Sequence, residues 1–252
     1  MKKRIIFAAI SAMVWVGYAS PIMSDTFTYA DGDLTTESSG VWTSHSGSAN
    51  FIQVASGQAV LTHGGGSRED VNIKFGLKTF GSLYFGLDVS VDDLGAPFTS
   101  TDNEYFAHFR SDPNPYEFLA RVDVVPSTGG GDYTLGIASF DSTADAVWAT
   151  DLEYDTFYRL VVKYDIDNDR ATLWVDPASS SDTSILGDDG TDQDRVADSF
   201  ALRQSNSTED ETIRVDNLVV SRNFGDVAIP EPTTAALFFI GLAGLLVRRV
   251  RS

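Results

Sequence analysis

The sequence predicts an all-β fold, a two-sheet antiparallel sandwich. Three observations point there. Residues 158–177, YRLVVKYDIDNDRATLWVDP, alternate apolar and polar side chains on either side of a short Asp/Asn turn, the signature of a hairpin. Further strand-like segments recur at fairly regular spacing, divided by pieces rich in turn residues such as HGGGSRED, SDPNP and STGGGD. No stretch of the body carries an apolar period of 3.6 residues over three turns, as an amphipathic helix would.

The elements follow in order. The first 24 residues read as a secretory signal helix. Lys2, Lys3 and Arg4 are the basic start, Ile5 to Tyr18 the apolar stretch, and a cut after Ala19 or after Ser24 would suit the small residues there. The body, 25–228, then opens with DTFTYADGDL and VWTSHSGS. FIQVASGQAVLTH reads as a hairpin turning at Ser56-Gly57. VNIKFGL, SLYFGLDVSV, EYFAHFR, YEFLARVDVV and DYTLGIASF are single strands. In the long hairpin, Tyr158, Leu160, Val162, Tyr164 and Ile166 share one face, as do Ala171, Leu173 and Val175. VADSFALRQ and TIRVDNLVVS close the body. Ten to thirteen short strands without an intervening linker fit one sandwich.

Charge narrows the partners. The whole chain has a net charge of -18. Between residues 25 and 229, 12 Lys and Arg face 35 Asp and Glu, a net charge of -23. Such a surface repels nucleic acid and anionic lipid and attracts cations. There is no cysteine, which excludes thiol catalysis and Cys-based metal sites; a body of this size can bury enough surface without disulfides.

Within this frame DTFTYADGDL with VWTSHSGS, the 158–177 hairpin, FALRQ and IRVDNLVVS resemble the concanavalin A-like (laminin G-like) jelly-roll modules of secreted bacterial proteins. The likeness covers the start and the C-terminal third of the body; 64–145 match only in strand-like texture. It implies a fold rather than an activity.

The end of the chain reads differently. Pro230-Glu231-Pro232 precede an apolar run, 233–247, and Arg248, Arg249 and Arg251 follow it. As a helix, 15 residues span about 22 Å at ~1.5 Å each, short against ~30 Å of hydrocarbon. The basic end would stay cytoplasmic and leave the body outside. Residues 229–252 resemble the PEP-CTERM sorting signal: a motif, a short transmembrane helix and an arginine cluster. The resemblance implies an exosortase-type processing enzyme as partner, a transient membrane passage through 233–247, and delivery to the cell surface or extracellular matrix. A retained single-pass anchor is the alternative.

Candidate chemistry is sparse. Asp165, Asp167 and Asp169 have the spacing that opens a calcium loop, but Arg170 and Asp176 stand where a glycine and a glutamate are required, so a polar turn is the simpler account. GDDGTDQD, 187–194, crowds four carboxylates. Asp188 and Asp192 are its candidate calcium ligands, and no other cofactor is expected. His45, His63 and His108 lie far apart in sequence with no HxH or HExxH, and no GxSxG occurs. The E-x-D-x-x-E strand of laminarinase-type enzymes, which resemble this fold, is missing: Glu153 and Asp155 are followed by Tyr158. No catalytic residue is assigned. Trp42, Trp148 and Trp174 are expected in the core. The expectation is an exported, non-enzymatic binding module for adhesion or contact with a surface polysaccharide. The alternatives are a polysaccharide-active enzyme of the same fold and a structural matrix protein without a ligand.

Overall fold

A computed structural model of the chain describes residues 20–228, apart from 103 and 115. The signal segment before residue 20 and the sorting segment from 229 onward lie outside the described residues, and so do Pro230, Glu231, Pro232, Arg248, Arg249 and Arg251.

Sixteen strands and two short helices are present among the described residues. In chain order they are β1 (Met23–Asp25), β2 (Gly32–Asp33), α1 (Leu34–Glu37), β3 (Thr43–Ser46), β4 (Gln53–Ala55), β5 (Gln58–Thr62), β6 (Asp70–Lys78), β7 (Ser82–Val91), β8 (Glu104–Arg110) and β9 (Phe118–Val125). There follow β10 (Thr134–Ala138), β11 (Ala146–Val147), β12 (Tyr158–Asp165), β13 (Arg170–Val175), β14 (Ile185–Gly187), β15 (Ala197–Arg203), β16 (Thr212–Ser221) and α2 (Phe224–Ala228). All long strands coincide with expected segments. The surplus over ten to thirteen consists of pieces of two to four residues, too short to show a period.

The strands form two antiparallel sheets. One has nine strands in the order β14-β13-β12-β7-β16-β5-β4-β2, with β1 also paired to β16. The other has seven, β11-β10-β9-β8-β15-β6-β3. The β4–β5 turn is Ser56-Gly57, with φ of 54° and 78°, the two positive angles that a type I′ hairpin requires. In the long hairpin Val162 faces Leu173 and Tyr164 faces Ala171, and all four are fully buried.

The inner faces make one core. Phe85 of the nine-stranded sheet meets Phe109 and Phe200 of the other edge-on, at centroid distances of 5.1 and 5.0 Å. Trp42 and Trp148 join this core. Trp174 instead lies on the outer face of the nine-stranded sheet, with Val161, Val219, Val227 and Ala228 in a second, smaller cluster under α2.

The opening motif has a physical role. Asp25 accepts from Trp42 Nε1 (2.7 Å) and the Tyr29 hydroxyl (2.8 Å) on one oxygen and from the Phe27 amide (2.8 Å) on the other. One carboxylate thus ties β1 to the loops before β3. Burial, then the adjacent carboxylate, pushes the Tyr29 phenol far up, which keeps it a donor. Paired backbone begins earlier than residue 25: the Ile22 amide donates to Val220 O at 2.7 Å and Met23 pairs with Val220. A cut after Ser24 would remove two of the three residues of β1, whereas a cut after Ala19 leaves the strand whole.

Asp25→Ala leaves three donors without an acceptor, each worth roughly 1–3 kcal/mol when buried. Urea unfolding should show a loss of about 3 kcal/mol, against less than ~1 kcal/mol for the exposed Asp31→Ala.

Candidate functional site

The outer face of the seven-stranded sheet gathers four cationic side chains, Lys74, Arg110, Arg121 and Arg203, around Tyr105, His108 and Phe118. Antiparallel register places them in three rungs. Lys74, Ser199, Arg110 and Phe118 stand side by side across β6, β15, β8 and β9. Asn72, Ala201 and His108 form the next rung. Asp70 pairs with Arg203, and Tyr105 with Asp123, in the third.

Irregular pairing makes this possible. Under strict alternation Tyr105 and His108 would point to opposite sides of β8. The β8–β9 register shifts between Tyr105 and Ala107 and again between Ala107 and Phe109, and Ala120 on the facing strand has φ of 54°. These irregularities turn Tyr105, His108 and Arg110 to one face and leave Phe106, Ala107 and Phe109 in the core. Gly136 bounds the cluster on β10. A Cβ there would stand 2.5 Å from the Ala144 methyl, so only glycine lets the 139–145 segment lie against the sheet.

Tyr105 is the centre of the cluster. The Arg203 guanidinium sits 4.0 Å from its ring centroid and that of Arg121 4.7 Å. His108 contacts the Tyr105 ring at 5.5 Å and the Phe118 ring at 5.2 Å. Arg121 also lies 5.3 Å from Phe118 and donates through Nε to Phe118 O. His108 Nδ1 must donate to Phe109 O at 2.9 Å, since a carbonyl only accepts; Nε2 is then the nitrogen with the lone pair.

The charges are balanced locally. Arg110 and Lys74 both pair with Asp112. The positive charge of Arg203 partly offsets the rise that burial imposes on the Asp70 carboxyl. Burial holds His108 well below the ordinary histidine range, with Arg121 adding to it. His45, at the margin of this face, is lowered to about 4 by burial and by Arg110. Burial raises the Tyr105 phenol and lowers Arg121. At neutral pH the cluster therefore holds neutral imidazoles and an intact phenol among compensated Arg and Asp groups, with Tyr105, His108, Arg110 and Arg121 buried and Lys74, Phe118 and Arg203 reaching solvent.

The sequence-derived candidates go elsewhere. Asp188 pairs with Arg170 at 2.8 Å and accepts the Gly190 amide at 3.0 Å. Asp192 lines a cleft of about 320 Å³ with Asp167, Asp194 and Arg195. Among the described residues no three His, Asp or Glu side chains converge on a metal position. The three aspartates of DIDNDR also separate. Asp165 pairs with Lys163, Asp167 accepts the Gly81 amide, and Asp169 is sealed in the core against Tyr164 and Arg195. They make a polar turn.

His63 meets groups that sequence distance had hidden. Its Nδ1 lies 2.6 Å from Ser205 Oγ and 3.1 Å from Glu211 Oε1. Both partners address the same ring nitrogen, and His63 and Glu211 are fully buried. A proton relay needs the serine and the acid on opposite nitrogens and a path for substrate, so the trio ties β5 to the β15–β16 connection and is no nucleophilic site.

Comparison with known proteins adds the destination. Residues 228–252 match the PEP-CTERM protein-sorting motif. The protein carries an export and sorting signal. No curated protein matches the chain. Solved structures similar to it include the carbohydrate recognition domain of Emp47p (11% identity, 80% of this chain and 96% of that one, TM-score 0.48). A Lotus tetragonolobus seed lectin matches at 11% identity over 72% of this chain and 93% of that one, with a TM-score of 0.47. The alginate lyase AlgAT5 of Polysaccharide Lyase family 7 matches at 14% identity over 68% and 82%, with a TM-score of 0.45. Among the described residues no helix is long and apolar enough to cross a membrane.

The folded His45 binds its proton only near pH 4, the unfolded one near pH 6.5. In that window the unfolded state holds more protons, so stability falls as pH drops from 6.5 towards 4. Urea midpoints measured across this range should fall less steeply for His45→Gln than for the wild type.

Proposed function

We propose that the protein is a cell-surface or matrix component, sorted by an exosortase-type enzyme, whose non-enzymatic body binds a glycan on the three-rung face. The carrying observation is the Arg121–Tyr105–Arg203 stack beside His108 and Phe118. Tyr105, His108 and Arg121 are buried and hold the stack rigid, so contact with a sugar falls to the exposed Lys74 and the half-buried Phe118 and Arg203, a ring and two donors on one sheet. Charge suggests the class of polymer. The local Arg and Asp groups compensate, and the body as a whole is strongly acidic, so a polyanion would approach against the field. An uncharged polysaccharide fits better.

A glycan array on the mature body, with and without calcium, tests this. Binding should favour uncharged polymers, and Arg203→Ala should weaken it about tenfold, the equivalent of about 1.4 kcal/mol. No signal on any glycan under either condition would sink the binding proposal and leave the structural-matrix alternative. A polysaccharide-active enzyme of the same fold is the second reading; His108, 1% exposed against the Tyr105 ring, would have to be opened to substrate to serve it. New reducing ends that disappear in His108→Ala would establish that reading instead.

Processing is tested at both termini by mass spectrometry of the surface-released protein. The chain should begin at Ser20, since β1 needs residues 23–25, and should end before Leu237. Peptides running past Leu237 would contradict processing.

A further inference from the structure

We propose that, before the tail is cut, the nine-stranded sheet turns its outer face to the membrane and the three-rung face looks outward. This rests on 233–247 being held in the membrane, as the sorting signal implies.

The geometry lies in how the chain leaves the body. After β16 it turns back, and α2 lies across the outer face of the nine-stranded sheet. Phe224 packs edge-on against Trp174 at 5.3 Å and Tyr84 at 6.3 Å. Val227 is fully buried and Ala228 is 8% exposed. The Val227 carbonyl accepts from Arg159 through Nε at 2.9 Å and Nη2 at 2.7 Å, while Nη1 donates to Asn217 O and Asp88. Gly86 makes the room: a Cβ there would stand 2.2 Å from Val227 O. The exit is therefore a latch rather than a loose end.

Its position matters as much as its rigidity. β7 and β16, which the latch covers, are the fourth and fifth strands of the eight in sheet order. At ~4.8 Å between strands, either edge is about 17 Å away. Gly86 is also near the middle of the ten residues of β7, roughly 14 Å from Ser82 and 17 Å from Val91. From Ala228 to Thr233 the chain has five steps, at most ~18 Å fully extended. Even fully extended a tether this short barely passes the rim, so face-down is the orientation it favours. The seven-stranded sheet is then the farther layer, by ~10 Å, with its outer face away from the lipid. A precursor held this way can engage a polymer before release.

The chain contains no cysteine, so single cysteines report directly. Lys163→Cys and Leu186→Cys mark the outer face of the nine-stranded sheet, and Lys74→Cys marks the three-rung face. The full-length precursor, in phosphatidylcholine liposomes, is treated with a 5-kDa maleimide-polyethylene glycol and compared with the same protein in detergent. The first two cysteines should react several-fold more slowly in liposomes, while Lys74→Cys should react equally in both. In a Gly86→Ala background the added methyl should release the latch, and the rates should converge. Equal rates at all three positions in the unaltered background would overturn the orientation. A protection that persists in Gly86→Ala would overturn the role of the latch. Alkaline carbonate extraction separates the two levels: a precursor washed off the liposomes would overturn the membrane-held tail and the orientation with it.

Discussion

The structure depends on the apolar layer between the two sheets. Phe85 reaches across it to Phe109 and Phe200, and Trp42 stacks on Phe27 at 5.7 Å while meeting Phe200 edge-on. Burying rings of this size supplies much of the driving force for a chain that carries so much like charge. Because the inner faces are committed to each other, every other task falls to the outer faces and the rims.

Buried polar groups hold the ends of that layer in place. Asp25 ties the first strand to Trp42, Asp169 joins the long hairpin to Arg195, and His63 with Glu211 fixes the approach to β16. The Asp25, Asp169 and Glu211 carboxylates are each matched by partners, as a low-dielectric interior demands. Much of the opening motif is explained by Asp25 alone, which makes it a structural signature and no catalytic one.

The two outer faces have diverged. One is covered at its centre by α2, through Phe224, Val227 and the Arg159 latch. The other carries a stack of arginines, rings and neutral histidines. The α2 exit and the three-rung face thus lie on opposite sides of one sandwich.

Alternation made the long strands legible, because burying one side of a strand forces apolar residues to every second place. Turn chemistry likewise marked Ser56-Gly57 and the Asp/Asn turn at 166–169. Charge and the Pro-Glu-Pro tail spoke to partners and destination. Short strands such as β2 and β11 left no trace, since two residues hold no period. The three-rung face was hidden for two reasons. Its members come from four strands whose neighbours are set by long-range pairing, and the irregular β8–β9 pairing breaks the alternation that would have grouped Tyr105 with His108. Local pattern determined a β-sandwich, and the motif at 228–252 an exported protein with a sorting tail. Only the tertiary structure decided which side chains share a face, because register and bulges arise from pairing between distant strands and not from any one segment.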